Sequence, residues 1–445
     1  MNLRTPRHRG SHLAIPNGTS RAESTPGEAD QPLASGPLAA LSVPYYSRIL
    51  GSGALWNITR WMTIFLGSFL MNRLTDSPFL VQLVATCFFL PMFVGGMLAG
   101  AVSDRFDRRR TVLRQLAALV PLAALMALLV AIDRLPTAML YVFAGAVGLG
   151  QVVDMTTRRA LINDLVGDRL FGNAIALETL SMSAGNMAGS LTGGALIQEV
   201  GVSAAYAVVA GLYLCCFLLM ATVPSRGRPG SDAAKLTLHP PGAGAVVGEM
   251  RRDLAAGVRS LPGNRPFVSL LGVTVVMNFL FFSFMPMIPV LARRFEVGPL
   301  LTGVLASGLG LGMLIGSLLM VVINPSRRGR IYVVGSFLGM VFLVVFALMS
   351  VFLVALLALI ATGICAAGFA SVQTALVMSV NPPEMRGRAM GLLSMAIGTL
   401  PFGMLLLGAI AERVGPHNAV VIVAGAGMVS LVLWLARRPE VLQID

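Results

Sequence analysis

Val94-Gly95-Gly96-Met97-Leu98-Ala99-Gly100-Ala101-Val102-Ser103-Asp104-Arg105-Phe106-Asp107-Arg108-Arg109-Arg110 is an apolar, glycine-spaced run that ends in two acids and four arginines. Gly96 and Gly100 lie one helical turn apart, the small-xxx-small spacing that lets helix backbones approach each other in lipid. Asp104 falls one turn further on, where apolar sequence gives way to charge. That places it at a membrane surface, within reach of arginines or of the positive N-terminus of a facing helix.

The rest of the chain agrees with a membrane reading. Of 445 residues only 12% are charged and 56% are hydrophobic, and the mean hydropathy is +0.79. A soluble domain carries about 25% charge. Runs of about 20 apolar residues recur along the chain, each enough to cross a hydrocarbon core of about 30 Å. The net charge of +13 does not imply a nucleic-acid partner, because the basic residues punctuate apolar stretches. Lys235 is the only lysine and lies in Ala233-Ala234-Lys235-Leu236. A phosphate-binding P-loop needs a lysine after its glycines, so ATP hydrolysis of that kind is excluded. Cys87, Cys215, Cys216 and Cys365 all fall in apolar runs and read as small core residues. The histidines, His8, His12, His239 and His417, lie in the tail or in loops, so no metal or other cofactor is expected.

Twelve spans are predicted near 47–71, 79–103, 111–132, 137–157, 173–197 and 203–223, then 267–291, 299–323, 331–349, 352–377, 389–411 and 417–436. The fold class is all-α, with two six-helix bundles at 43–224 and 267–437. Residues 1–42 read as a disordered tail, 225–266 as a linker and 438–445 as a second tail. With the N-terminus in the cytoplasm, about 27 basic residues fall on the cytoplasmic side and about five opposite, so the positive-inside rule puts both ends in the cytoplasm. In the linker, Val246, Met250, Leu254, Val258 and Leu261 recur at helical spacing, as in an amphipathic helix lying on the inner leaflet. The halves also repeat. Leu180-Ser181-Met182 with Gly185 returns as Leu393-Ser394-Met395 with Gly398, and Gly194-Ala195 with Gly201 returns as Gly408-Ala409 with Gly415. Parallel six-helix repeats are one way of building a transporter with its site between the halves.

The opening stretch resembles the signature loop of the major facilitator superfamily, G-x-x-x-D-R-x-G-R-R, between the second and third helices. The span count, midpoint linker and repeat fit that family from Pro44 onward. Asn173-Ala174-Ile175-Ala176-Leu177 and Pro383-Glu384-Met385-Arg386-Gly387-Arg388 resemble its branch containing the enterobactin exporter and related drug exporters. The resemblance implies alternating access, with Gly96, Gly100, Asp104, Arg105, Arg108 and Arg109 as a latch between the halves. Asp107 stands where the family has glycine. It further implies that helices two, five, eight and eleven meet between the halves, where the stripes Gly185, Gly189, Gly193 and Gly308, Gly312, Gly316 would let them slide. Helices one, four, seven and ten would line the pathway.

Three ionisable residues sit within predicted spans: Arg60, Asp154 and Glu178. A charge at the bilayer centre costs about 2.5–3.5 kcal/mol on insertion scales, so each is expected to face protein or a cavity as a coupling or substrate residue. Arg60, with Asn57 and Trp61 beside it, could hold an anionic group or Asp154. Locally, Asp154 and Arg158 are spaced for an ion pair along one helix face, and Glu178 could meet Arg158, Arg159 or Arg169. Gln151, Asn278, Phe281, Phe282 and Gln373 are the remaining cavity candidates. So apolar a cavity suits an amphiphilic solute.

The function expected is proton-coupled export of a small amphiphilic molecule by a monomer in the lipid bilayer of a bacterial inner membrane. An uptake permease for an organic anion and a non-transporting membrane sensor are the alternatives. An enzyme is excluded, because no histidine within a span completes a nucleophile–His–acid set.

Overall fold

The computed structural model describes residue 36 and residues 38–103, 107–224, 263–323 and 326–444, without the side chains of 94–103 and 168. The tail over 1–35 and the linker over 225–262, with its amphipathic stretch, lie outside the described residues. So do Asp104 and Arg105. Every regular element among the described residues is a helix. The first three are α1 (Tyr46–Leu74), α2 (Pro78–Ser103) and α3 (Arg108–Ala131). A nominally continuous stretch, Thr137–Ala221, is broken at Gly167 and Gly201 into α4 (137–166), α5 (168–200) and α6 (202–221). There follow α7 (Arg265–Phe295), α8 (Pro299–Ile323), α9 (Arg328–Leu348), α10 (Phe352–Val380), α11 (Pro383–Val414) and α12 (Pro416–Arg437).

A helix therefore lies over each of the twelve predicted stretches. Among the described residues, nine helical stretches are long and apolar enough to cross a membrane by length and composition. One of them, Arg169–Ala221, has 53 residues. Straight, it would run about 80 Å, and Gly201 turns it into α5 and α6. The polar first span, α1, is absent from the nine because Ser52, Asn57, Thr59, Arg60, Thr63, Ser68 and Asn72 dilute its apolar character. All seven are buried, so its polar face turns into the protein. The fourth helix ends at residue 166 rather than 157, carrying Arg158, Arg159 and Asp164 beyond the apolar run.

The sequence repeat is also a backbone repeat. Gly201 has φ 86 and ψ 170, and Gly415 has φ 83 and ψ 155. Each makes the turn between the last two helices of its half, in a region open to glycine alone.

The glycine stripes do not lie between the halves. Gly185 and Gly189 press on Asn57 and Ile58 of α1, while Gly312 and Gly316 press on Ile360 and Ile364 of α10. These are contacts within a half. Other faces meet across the molecule: a Cβ on Gly194 would stand 2.6 Å from the Pro299 carbonyl oxygen, and one on Gly310 would stand 2.6 Å from the Met187 nitrogen. Helices α5 and α8 do cross between the halves, as expected, through Gly194, Gly303 and Gly310. Helices α2 and α11 do so through Phe79 and Gly408.

Two discontinuities face each other in the C-terminal half. A π-turn at Met277–Phe281 interrupts α7, and α11 breaks between Ile397 and Leu400. Gly403 makes room for the bulge, since a Cβ there would lie 1.8 Å from the Phe279 carbonyl oxygen. At the chain ends, Asn173 accepts from the Ala40 amide at 2.9 Å. The turn Pro439–Gln443 packs on α7 and α9: the Val441 amide donates to Ser269 Oγ at 3.3 Å, and the Gly329 amide to the Ile444 carbonyl at 2.9 Å.

Candidate functional site

Helices α1, α4 and α5 enclose a narrow cleft whose polar lining includes Asn57, Gln151, Asp154, Arg158, Glu178 and Ser181. Helical spacing brings them together, with Gln151, Asp154 and Arg158 on successive turns of one face of α4. Arg158 donates through Nη2 to Asp154 Oδ1 at 2.6 Å and through Nε to Oδ2 at 3.0 Å. Its Nη1 reaches the Ile49 carbonyl of α1 at 3.1 Å. The two side chains are 2% and 6% exposed, a buried ion pair. Glu178 on α5 takes Arg159 Nε at 3.1 Å. The local pairings left open by the sequence are thus the ones formed.

Arg60 forms no ion pair with Asp154. Its guanidinium lies over the Trp61 ring, 4.9 Å from the centroid, and its buried Nε has no hydrogen-bond partner. Among the described residues it pairs with no carboxylate, although it is only 6% exposed. Stacking on an indole contributes about 2 kcal/mol or more when desolvated, while a charge left buried without its partner typically costs about 3–5 kcal/mol.

The remaining cavity candidates divide by half. Gln151 accepts from Trp56 Nε1 at 3.1 Å, and Asn57 donates to Ser181 Oγ at 3.4 Å. In the C-terminal half, Gln373 donates to Thr274 Oγ1 at 3.2 Å and to Tyr332 OH at 3.4 Å, and these two hydroxyls lie 2.7 Å apart. Asn278 donates to the Thr274 carbonyl at 2.9 Å. Phe281 is core, fully buried against Phe282 and Phe284, while Phe282 is half-buried and reaches Phe369. Thr274 and Tyr332 were not legible as site residues, because in sequence they are ordinary span residues. Among the described residues every buried charged side chain (Arg60, Asp154, Arg158, Glu178) belongs to the N-terminal half.

Of the signature loop, Gly96 and Gly100 belong to α2, and Arg108 and Arg109 are described together with their bonds. Arg108 pairs with Asp164, and Arg109 donates to the Ala221 carbonyl at 2.7 Å. Asp107 caps α3, accepting from the Arg110 amide at 2.8 Å. This gives the residue that replaces the family glycine a definite job.

The halves are bonded to each other where α1 turns into α2. Arg293 of α7 pairs with Asp76 at 3.1 Å and donates to the Asn72 carbonyl. Glu412 of α11 accepts from Ser77 and, at 3.3 Å, from the Phe79 amide at the start of α2. Asn72 Nδ2 donates to the Pro289 carbonyl at 3.2 Å, and deeper in, Gln82 donates to the Ser283 carbonyl at 2.9 Å. These bonds gather at the end of the molecule that bears the short α1–α2 hairpin. Neither Arg293 nor Glu412 stands out in the sequence, where each falls just beyond the end of a predicted span.

Helices long and apolar enough to cross a membrane, with charged side chains buried among them, fit an integral membrane protein. The family model of the Major Facilitator Superfamily matches residues 49–352 and 270–443; the chain belongs to that superfamily. It is 26% identical to the enterobactin exporter EntS of Citrobacter koseri, over 82% of this chain and 84% of that protein. The enterobactin exporter EntS of Salmonella typhimurium is 25% identical over 82% and 85%. The fold is similar to that of a D-xylose-proton symporter, at 17% identity and a TM-score of 0.67 over 89% of this chain and 99% of that one. It is also similar to a bacterial homologue of the human lysosomal transporter Spinster in an inward-facing, unoccupied conformation, at 14% and 0.62 over 90% and 97%.

Proposed function

We propose that this transporter exports a small amphiphilic molecule in exchange for protons, by alternating access, as a monomer in the inner membrane of a bacterium. The bundles would be 43–224 and 267–437, and the end bearing the linker and both termini would face the cytoplasm. The observation that carries the reading is the buried Asp154–Arg158 pair at the wall of a cleft, beside Glu178–Arg159. A buried carboxylate that gains a proton gives up its hold on the partner cation. Arg158 then lets go of Asp154 while still bonded to α1, so a proton is converted into a changed fit between α4 and α1. Export is favoured by the likeness to the EntS proteins, which are named enterobactin exporters. The joint around Asn72, Asp76, Arg293 and Glu412 would close the outer side while substrate enters from the cytoplasm, and the loop from Gly96 to Arg109 would close the inner side in the other state.

The test is transport in everted membrane vesicles given a proton gradient. Wild type is expected to accumulate amphiphilic dyes only when the lumen is acidic, and Asp154→Asn to lose gradient-driven accumulation while still exchanging dye down its gradient. Accumulation by Asp154→Asn equal to wild type would remove the pair from coupling.

One observation favours a second reading. The unpaired guanidinium of Arg60 could hold an organic anion taken up by the cell. Uptake into right-side-out vesicles, abolished by Arg60→Gln and competed by simple aryl carboxylates, would establish it against export.

A further inference from the structure

Glu440 apart, every buried side-chain polar atom without a hydrogen-bond partner among the described residues belongs to the N-terminal half. Two of them meet at a small cavity inside that half, between α1, α2, α4 and α6, which shares no lining residue with the cleft at Asp154. The cavity has room for about one water. Of the ten residues that line it, only Thr63 of α1 and Tyr206 of α6 carry a side-chain polar atom. The others, such as Val84, Phe88 and Leu140, are apolar.

Both hydroxyls are left over from the fold. Thr63 is 4% exposed and Tyr206 is fully buried, yet neither Thr63 Oγ1 nor the Tyr206 hydroxyl has a partner in the chain. Comparable groups elsewhere do. Thr59, Thr86, Thr274 and Thr362 each donate to the carbonyl four residues back, at 2.7–3.0 Å, the usual recourse of a threonine within a helix. Thr63 lies one turn beyond Thr59 on the same helix and makes no such bond. Among the tyrosines, Tyr46 donates to the Ala174 carbonyl and Tyr332 shares a bond with Thr274. Phe143 meets the Tyr206 ring close to edge-on, with the centroids 5.8 Å apart, and so fixes the direction of its hydroxyl. Buried polar groups are nearly always paired. Two unpaired hydroxyls on one small cavity therefore point to a partner that the chain does not supply.

We propose that this cavity binds one ordered water, which accepts from the Tyr206 hydroxyl and donates to Thr63 Oγ1. Its size excludes a solute. Two oxygens are too few for a calcium or magnesium ion, which takes about six. A wholly apolar cavity would stay dry, whereas two hydroxyls meet a buried water's minimum of about two partners. The water joins α1 to α6 on the hairpin side of Arg60. Direct bonds between the same helices, from Ser52 to the Cys216 carbonyl and from Arg48 to the Thr222 carbonyl, lie toward their other ends. The proposal is independent of what is transported and in which direction.

The test is hydroxyl-radical footprinting of the purified full chain in lipid nanodiscs, in which an X-ray pulse makes radicals from water and marks the side chains that water touches. Tyr206 is expected to be oxidised despite its burial. Tyr332, an equally buried tyrosine whose hydroxyl is bonded within the chain, is expected to stay at background. Thr63→Val keeps the shape and removes one of the two partners, so oxidation of Tyr206 is expected to fall to the Tyr332 level. Thr63→Ser returns a hydroxyl and is expected to restore the mark. Oxidation of Tyr206 no greater than that of Tyr332 in wild type, or undiminished in Thr63→Val, overturns the assignment. Should Thr63→Val fail to fold, a high-resolution map of wild type decides the matter. Density within about 3 Å of both hydroxyls is expected there, and a map without it overturns the proposal.

Discussion

Arg158 grips both carboxylate oxygens of Asp154, one turn away on the same helix, and gives its remaining arm to the Ile49 carbonyl of α1. Asp154→Asn leaves a buried guanidinium with a carbonyl but no counter-charge, a defect that typically costs about 3–5 kcal/mol. Thermal unfolding in nanodiscs should show that loss for Asp154→Asn and recover most of it in Asp154→Asn with Arg158→Gln. The double variant should still lack proton-driven transport. Transport by the double variant at the wild-type rate would make the pair a packing device only.

Neighbouring glycines on α5 separate the contacts within a half from those between halves. Gly193 faces the flexible ring of Phe65, whereas Gly194 faces the backbone of α8 at Pro299 and Gly303. A methyl group at 193 can be met by a small side-chain shift; one at 194 must push two helices apart, and overpacking of that kind costs about 1–3 kcal/mol. Gly194→Ala should thus cut the transport rate about tenfold or more at unchanged expression, and Gly193→Ala less than about threefold, on that same energetic scale. Equal effects would mean that the α5–α8 crossing does not limit transport.

The joint at the α1–α2 turn should behave as a gate with weak, exposed bolts. Arg293 and Asp76 are 47% and 99% exposed, so salt screens them and their direct contribution is small. Glu412 also caps the first turn of α2, where a negative charge is favoured by the helix dipole. Glu412→Gln with Arg293→Ala is expected to favour the state open on the hairpin side, read as faster labelling of a cysteine at position 64 by an impermeant maleimide. Labelling no faster than in the parent cysteine protein would show that glycine packing alone keeps this side closed.

Helix number and order were legible because lipid imposes them: an apolar run of the right length between charged turns has one stable arrangement. The repeat was legible down to Gly201 and Gly415, which share a turn conformation. Helix faces were not. Gly193 and Gly194 look equivalent in sequence, yet the stripe through Gly193 faces α1 and it is Gly194 that meets α8 across the joint between halves. The charges were found, but Asp154 had two arginines to choose from, and only the side-chain geometry selects Arg158 over Arg60. Trp61 was singled out for its neighbour Arg60. Its place beside Asn186 of α5 was hidden because the two helices lie far apart in the chain.

The paired turns allow a test of the repeat that is independent of transport. At Gly201 and Gly415 an added Cβ meets nothing within 4 Å, yet both have strongly positive φ. Substitution there should cost only backbone energy, about 1–3 kcal/mol at each site for a region that L-residues avoid. The two sites share no partner, so their costs should add. Gly201→Ala and Gly415→Ala should therefore lower the thermal midpoint by similar amounts, and the double variant by their sum, with the transport rate of folded protein unchanged. If one site proves tolerant and the other severe, the two halves use different turns in the membrane, and the likeness between them ends before their last helices.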